Sequence, residues 1–283
     1  MSEITIVLPV KNEAGNLPRC IAAVSGLGQV VVVDSGSSDE TQAVAKAAGA
    51  EVLNFEWDGQ FPKKRNWTLR NYNFKTEWVL FLDADEFVSS EFIQEVQAAI
   101  ADTTHVGFWL DFSNHLMGQK LRGGDAFRKL ALFRVGAGEY ERIEEDNWSH
   151  LDMEVHEHPV LEGSIGEIYV RIEHNDFRGL KHYIAKHNEY SSWEAARYLR
   201  LAGCEGEKVG RFEGKEWENL TDRQKKKYRH IAKWWFAPAY FMVSYFLKKG
   251  FIDGAVGFHF SLLKAVYFYQ IRLKIMEERP TEG

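Results

Sequence analysis

A chain of 283 residues, 45% hydrophobic and 27% charged, has the material for one large domain or a domain with an appendage, and its composition excludes general disorder. A net charge of −6 speaks against a nucleic-acid binder. Met1-Ser2-Glu3-Ile4 lacks the basic start and apolar core of a signal peptide, and Cys20 and Cys204 have no metal-ligand spacing, so the expected setting is the reducing cytoplasm.

Ile4 to Val10 reads as a buried strand, Lys11 to Asn16 as a polar loop and Leu17 to Val24 as a helix. Gln29-Val30-Val31-Val32-Val33 is a second strand, ending at Asp34 and a Ser/Gly-rich turn. Glu40 to Gly49 is helical in composition, and Glu51 to Phe55 is a third strand. This βαβαβ alternation predicts an α/β fold around a parallel sheet with right-handed crossovers. Asp34, at a strand's carboxyl end, can accept hydrogen bonds from a base or ribose; Ser38 or Asp39 suits the helix cap. Glu13 is open to either a binding or a structural role. Pro62-Lys63-Lys64-Arg65-Asn66 reads as a solvated basic loop or as a cationic clamp for phosphate.

Trp78-Val79-Leu80-Phe81-Leu82 is the central strand, and it stops at Asp83-Ala84-Asp85-Glu86. Its acids fall where open α/β sheets bind ligands. In continued strand geometry the side chains of Asp83 and Asp85 point the same way. Carboxylates so paired suit Mg²⁺ or Mn²⁺ bridging a diphosphate; an acidic turn is the other reading. Beyond them, Glu91 to Ala101 is an amphipathic helix behind a Ser89-Ser90 cap, and Val106 to Phe112 is strand-like. Arg128 to Arg134 alternates basic and apolar, so Arg128 and Arg134 share a face that is either a charged edge or directed at a diphosphate.

Val7-Leu8-Pro9-Val10-Lys11-Asn12-Glu13, Val33-Asp34-Ser35-Gly36-Ser37-Ser38-Asp39, Arg65-Asn66 and Phe81-Leu82-Asp83-Ala84-Asp85-Glu86, in this order, resemble family 2 glycosyltransferases of the GT-A fold. The resemblance covers about the first third of the chain. It implies a Rossmann-like, mainly parallel mixed sheet and a nucleotide-sugar site, with UDP the usual nucleotide. Pro9, Val10, Glu13, Asp34 and Arg65 would then hold nucleoside and diphosphate, Asp83 and Ala84 would face the ribose or metal, and Asp85 would ligate the metal.

Tyr140 to Gly163 carries the candidates for a base. An inverting transfer needs one carboxylate to take the acceptor's proton while the metal handles the leaving group. A subset resembling lipopolysaccharide-core glucosyltransferases has Val-His-Glu here. In this chain that is Val155-His156-Glu157, so Glu157 is the first choice, with Asp146 and Glu145 behind it. The His156-Glu157-His158 cluster could bind zinc but lacks a third ligand at motif spacing. His174 ends another strand and either completes the metal site as an imidazole ligand or is structural. Lys186 to Ser191 matches a helical element of the same group.

From about Leu220 a basic run precedes Trp234 to Leu247 and a second apolar segment from Phe251 to Ile275. Neither run reaches the roughly 18 uncharged residues of a spanning helix. Aromatics with flanking lysines fit a membrane interface; a hairpin packed on the domain is the other reading. The expected division is a catalytic domain at 1–219 and a helical, membrane-associating appendage at 220–283. The expected activity is metal-dependent (Mn²⁺ or Mg²⁺), inverting transfer of a hexose, UDP-glucose first, onto a lipid-linked glycan. That acceptor belongs to lipopolysaccharide or exopolysaccharide synthesis, at the inner face of the cytoplasmic membrane. A sugar nucleotidyltransferase would need a more Gly-rich first loop, and a non-catalytic scaffold would not need Asp83, Asp85 and Glu157 together.

Overall fold

The computed structural model describes residues 3–124, 127–142, 158–175, 178–203, 212, 214, 217–218 and 220–278. The chain divides into two compact units, one within 1–118 and 126–177, the other within 119–125 and 178–283. The second unit thus starts some way before the composition change at residue 220, because a long helix that is polar overall packs with the apolar C-terminal ones.

In chain order the elements are β1 (Ile4–Val10), α1 (Leu17–Val24), β2 (Gln29–Asp34), α2 (Thr41–Ala47), β3 (Glu51–Asn54) and α3 (Lys64–Asn71). They continue with β4 (Trp78–Phe81), β5 (Glu86–Phe87), α4 (Ser90–Ala101), β6 (Gly107–Leu116), β7 (Gln119–Lys120) and β8 (Phe127–Arg134). β9 (Gly138–Tyr140) and β10 (Pro159–Leu161) form a separate antiparallel pair, and β11 (Ile165–His174) returns to the main sheet. The strand order there is β3-β2-β1-β4-β8-β6-β11-β5. β3, β2, β1 and β4 are parallel, β8 is antiparallel to both β4 and β6, β11 runs parallel to β6, and β5 antiparallel to β11.

Every residue of β1 is buried, and strand parity divides them between two cores. Ile4, Ile6, Leu8 and Val10 meet Val30, Val32 and Leu80, under Leu17, Ile21 and Val24 of α1 and Phe92 and Val96 of α4. Val7 meets Val31, Val33, Val79 and Phe81 on the other face, with Trp67 and Leu69 of α3 packed against them. A sheet covered on both faces is what a run such as Val30-Val31-Val32-Val33 requires, since each such side chain gains about 1.5–3 kcal/mol on leaving water. The expected α4 cap is present: the Phe92 N–H donates to the Ser89 hydroxyl at 3.3 Å.

The second unit contains α5 (Gly179–Leu201), α6 (Asp222–Ile231), α7 (Phe236–Met242) with a π turn at Val243–Leu247, a 3-10 turn at Gly250–Asp253 and α8 (Gly254–Glu278). Its core joins Ala195, Tyr198 and Leu201 of α5 to Tyr228 and Ile231 of α6 and Tyr267, Ile271 and Ile275 of α8. Thr221 and Gln224 form a reciprocal capping box that starts α6. Asp253, buried, accepts the N–H groups of Arg122 at 3.0 Å and Gly123 at 2.8 Å, which ties the short segment at 119–124 to this unit.

Candidate active site

The site lies at the carboxyl ends of β1, β2 and β4. The chain leaves β1 for β2 on one side while β4 lies on the other, so the β1/β4 crevice is the switch point where open α/β sheets take ligands. Pro9 and Val10 are the buried last residues of β1. The Val10 carbonyl accepts the buried Lys64 ammonium at 3.1 Å and the Ser35 N–H at 3.2 Å.

β4 ends at Phe81, and the chain then turns, with the Glu86 N–H donating to the Asp83 carbonyl at 3.0 Å. Continued strand geometry therefore stops before the acids, and Asp83 and Asp85 meet separate partners. Asp83 Oδ1 pairs with Arg65 Nη2 at 3.1 Å, and Oδ2 accepts Lys129 Nζ at 2.6 Å. Lys129 also bonds the fully buried Glu86 carboxylate, whose other oxygen accepts the Asp83 N–H at 3.0 Å. Burial opposes the charge on Lys129, but Asp83 and Glu86 outweigh it and hold the ammonium above its ordinary range. Burial pushes Glu86 upward, and Lys129 works against that rise.

Strand pairing accounts for this meeting. β8 runs antiparallel to β4, with Trp78 opposite Arg134 and Leu80 opposite Leu132, so the earlier residues of β8 lie beside the turn that ends β4; its register against β6 shifts between Leu132 and Leu130, and Lys129 pairs with Leu110. Lys129 is the residue that sequence reasoning passed over. Arg128, chosen as a diphosphate contact, is its neighbour of opposite parity and does not join the cluster; it pairs with Asp111 at 2.6 Å and Glu167 at 3.2 Å. Phe127-Arg128-Lys129-Leu130 sets two basic residues side by side, and only the fold says which of them faces the site. Arg134, grouped earlier with Arg128, pairs with Glu77.

Register also brings His174 in. β11 pairs His174 with Glu86 of β5, and the Asn175 N–H reaches the Asp85 carbonyl at 2.9 Å. His174 Nε2 then lies 3.4 Å from Asp85 Oδ2. Two donor atoms about 2.1 Å from one ion and at right angles to it lie about 3 Å apart, so the pair fits one divalent cation with little movement. Among the described residues no three His, Cys, Asp or Glu side chains form a metal-binding group. Two protein ligands are what Mg²⁺ or Mn²⁺ needs when diphosphate oxygens and water fill the remaining positions.

Arg65 is set by α3. Its neighbour Asn66 is buried and grips the Tyr140 backbone from both sides, donating to the carbonyl at 3.0 Å and accepting the N–H at 2.8 Å. The Arg65 guanidinium lies 5.3 Å from the Tyr140 ring centre. The basic stretch thus begins a helix, and its Arg65 and Lys64 point into the sheet's carboxyl edge. Asp34 is buried, and its oxygens accept the Ser37 N–H at 3.1 Å and Gln42 Nε2 at 2.7 Å, besides the Ser37 hydroxyl. It orders the turn after β2. Asn12, with φ of 57°, is bonded across to that turn, donating its N–H to Ser37 Oγ at 2.8 Å and accepting the Ser38 N–H at 2.8 Å. Glu13 accepts Asn16 Nδ2 at 2.9 Å beside this bridge. Asp39 accepts the N–H groups of Thr41 at 3.1 Å and Ala14 at 3.2 Å, so it ties the first loop to α2. Ala84 is buried in the acidic turn. Beneath the turn, burial and the adjoining carboxylates push the Cys20 thiol far up, which keeps it neutral and unreactive.

Glu157, Asp146, Glu145 and His156 lie outside the described residues. His158 is described and stands edge-on to Trp109 at 5.6 Å.

An α/β sheet of this order, with a carboxylate turn, a guanidinium and an ammonium at the switch point, defines the class: a Rossmann-like, GT-A nucleotide-sugar fold. Residues 5–142 match the profile of glycosyl transferase family 2, so the chain carries a family 2 glycosyltransferase domain. Over 90% of its length the chain is 26% identical to an uncharacterized glycosyltransferase of Rickettsia felis, covering 86% of that protein. It is also 26% identical to the lipopolysaccharide core biosynthesis glycosyltransferase LpsC of Rhizobium meliloti, over 92% of this chain and 89% of that one. A shorter stretch, 38% of this chain, is 33% identical to a TPR repeat-containing protein of Synechococcus elongatus and spans 27% of that protein. Against the solved structure of glucosyl-3-phosphoglycerate synthase from Mycobacterium tuberculosis with Mn²⁺, UDP and glucosyl-3-phosphoglycerate, identity is 25% over 41% of this chain and 44% of that one. The TM-score is 0.32, too low to compare the two sites.

Proposed function

We propose that this protein is an inverting, metal-dependent hexosyltransferase that moves glucose from UDP-glucose onto a lipid-linked glycan acceptor in lipopolysaccharide or exopolysaccharide synthesis, at the inner face of the cytoplasmic membrane. The observation that carries the donor side is the divided turn at the end of β4: Asp83 lies between Arg65 and Lys129, while Asp85 stands 3.4 Å from His174. Arg65 is positioned for a diphosphate, to which it can present a planar fork. Asp83 faces the ribose, and Glu13 and Asp34 hold the loops that would enclose the nucleoside. Asp85 and His174 would hold Mn²⁺ or Mg²⁺. When bound, that ion neutralises charge on the departing diphosphate. The acceptor hydroxyl attacks the anomeric carbon as its bond to the diphosphate breaks, and Glu157 takes the hydroxyl proton. Arg128, held by Asp111 and Glu167, would contact the donor only if those pairs gave way.

The lipopolysaccharide role of LpsC supports the acceptor class. Transfer of labelled glucose from UDP-glucose to lipopolysaccharide-core acceptor, compared between the wild type and Glu157→Gln, tests the base. Donor binding should persist in Glu157→Gln while transfer falls by about a hundredfold or more. Full transfer by the variant would put the base elsewhere.

A further inference from the structure

α8 exposes an apolar stripe along nearly its whole length. Phe258, Leu262, Val266, Tyr269, Leu273 and Met276 recur at spacings of three and four, and each is about 40–50% exposed. At 100° per residue they occupy one side of the helix. The opposite side is engaged: Tyr267, Ile271 and Ile275 share a core with Ala195, Tyr198 and Leu201 of α5. Lys274 Nζ is bonded to four oxygens of Asn188, Ser191 and Ser192, at 2.7 to 2.9 Å. Gly250–Glu278 is long and apolar enough to cross a membrane by length and composition. A helix held on α5 along one side, however, cannot be surrounded by lipid.

The preceding arm adds to this surface. The π turn and α7 pack on α8 through Phe241 and Tyr245 against Phe258, and through Phe236 and Tyr240 against Phe268. Close approach near the turn needs Gly257, where a Cβ would meet the Gly250 carbonyl oxygen at 2.0 Å. What this arm leaves outside is again apolar or aromatic: Trp234 is 73% exposed and Leu247 76%, with Met242 and Phe246 about half exposed. Single exposed apolar residues are ordinary on a protein surface, whereas a contiguous set on two packed arms marks an interaction face.

Charge identifies the occupant. Residues 220–283 hold 12 Lys and Arg against 5 Asp and Glu, a net of +7 within a chain whose total is −6. Among these cations Arg223, Lys226, Arg229, Lys233, Lys248 and Lys249 are exposed. Apolar side chains with Trp and Tyr, accompanied by basic residues, match an anionic bilayer surface, with acyl chains for the stripe and phosphates for the lysines. A second copy of this segment would bring +7 against +7.

We propose that the α7–α8 hairpin docks in the plane of an anionic bilayer, with the α8 stripe at the acyl–headgroup boundary and the basic residues of 223–249 on lipid phosphates. This deepens the lipid-linked acceptor reading by naming the surface that would bring enzyme and acceptor together, yet its test needs neither donor nor acceptor.

Flotation of the full-length protein with vesicles of phosphatidylcholine containing 30% phosphatidylglycerol, and with phosphatidylcholine alone, decides it. Wild type should float with the anionic vesicles, only weakly with the neutral ones, and be released by alkaline carbonate. Replacing Leu262, Val266, Tyr269 and Leu273 by Ser should weaken flotation about a hundredfold or more, with circular dichroism and UDP binding unchanged. The triple change Lys233→Glu, Lys248→Glu and Lys249→Glu leaves the apolar stripe intact and should remove the preference for anionic vesicles. Failure of wild type to float, equal flotation on both vesicle types, or retention through carbonate extraction would overturn the proposal. So would a wild-type dimer that the serine substitutions dissociate without affecting flotation. Loss of sugar transfer with flotation intact would count against the proposed reaction alone.

Discussion

Lys129→Met removes the cation between Asp83 and the buried Glu86. Removing one partner of a buried ion pair costs about 3–5 kcal/mol, because the other is left charged and unpaired. Glu86 has no exposed side-chain surface, but Lys129 retains 29% of its own. Water therefore screens part of the loss, and about 2 kcal/mol is the expected cost. For a unit of this size each kcal/mol lowers Tm by about 2–4 °C, so calorimetry of the sheet unit should show a fall of about 4–8 °C. The companion variant Lys129→Met/Glu86→Gln removes the stranded charge along with its partner and should recover most of the loss. Lys129→Met melting within about 1 °C of wild type, or a double variant losing the sum of both single changes, would refute the bridging role of Lys129 between Asp83 and Glu86.

Asn66→Ala strips both hydrogen bonds from the buried Tyr140 backbone and should cost about 2–4 kcal/mol, read as a lower urea midpoint; an unchanged midpoint would show that α3 is anchored otherwise. Asp39 sets an acid limit on the first loop. Burial would raise its carboxyl, but the Thr41 hydroxyl, with the Thr41 and Ala14 N–H groups, outweighs this and holds it below the ordinary aspartate range. Its stabilisation is therefore present above the ordinary aspartate range and lost as pH falls through the lower folded value, so Asp39→Ala should be destabilised at pH 7 by a margin that shrinks in acid. A deficit that stays constant down to pH 2 would contradict this sign.

Much of the nucleotide end was legible because it depends on local pattern. Val30 to Val33, apolar at every position, can only be a strand covered on both faces, and Asp34 and Asp83 then fall at strand ends by simple counting. The acidic turn was legible as composition but not as geometry: the chain turns after Phe81, so two aspartates that would align along a strand meet different partners. Lys129 was hidden because its meeting with Asp83 depends on a pairing between strands almost fifty residues apart. Arg128, the stronger anion ligand by chemistry, pairs instead with Asp111 and Glu167. The start of the second unit was hidden for a similar reason. Only Ala195, Tyr198, Leu201 and a few other residues of α5 join the C-terminal core, so its average composition resembles a surface helix. Hydropathy along α8 likewise averages two faces that the fold uses differently, one against α5 and one exposed.

Calorimetric titration of UDP into the full-length protein, with Mn²⁺ and with EDTA, tests most directly whether the end of β4 is a metal-assisted nucleotide-sugar site. Wild type should bind UDP at least about tenfold more tightly with Mn²⁺, and Asp85→Asn should lose that gain while keeping its Tm. Equal UDP affinity in Mn²⁺ and in EDTA, or an Asp85→Asn variant that keeps the full Mn²⁺ dependence, would contradict the assignment.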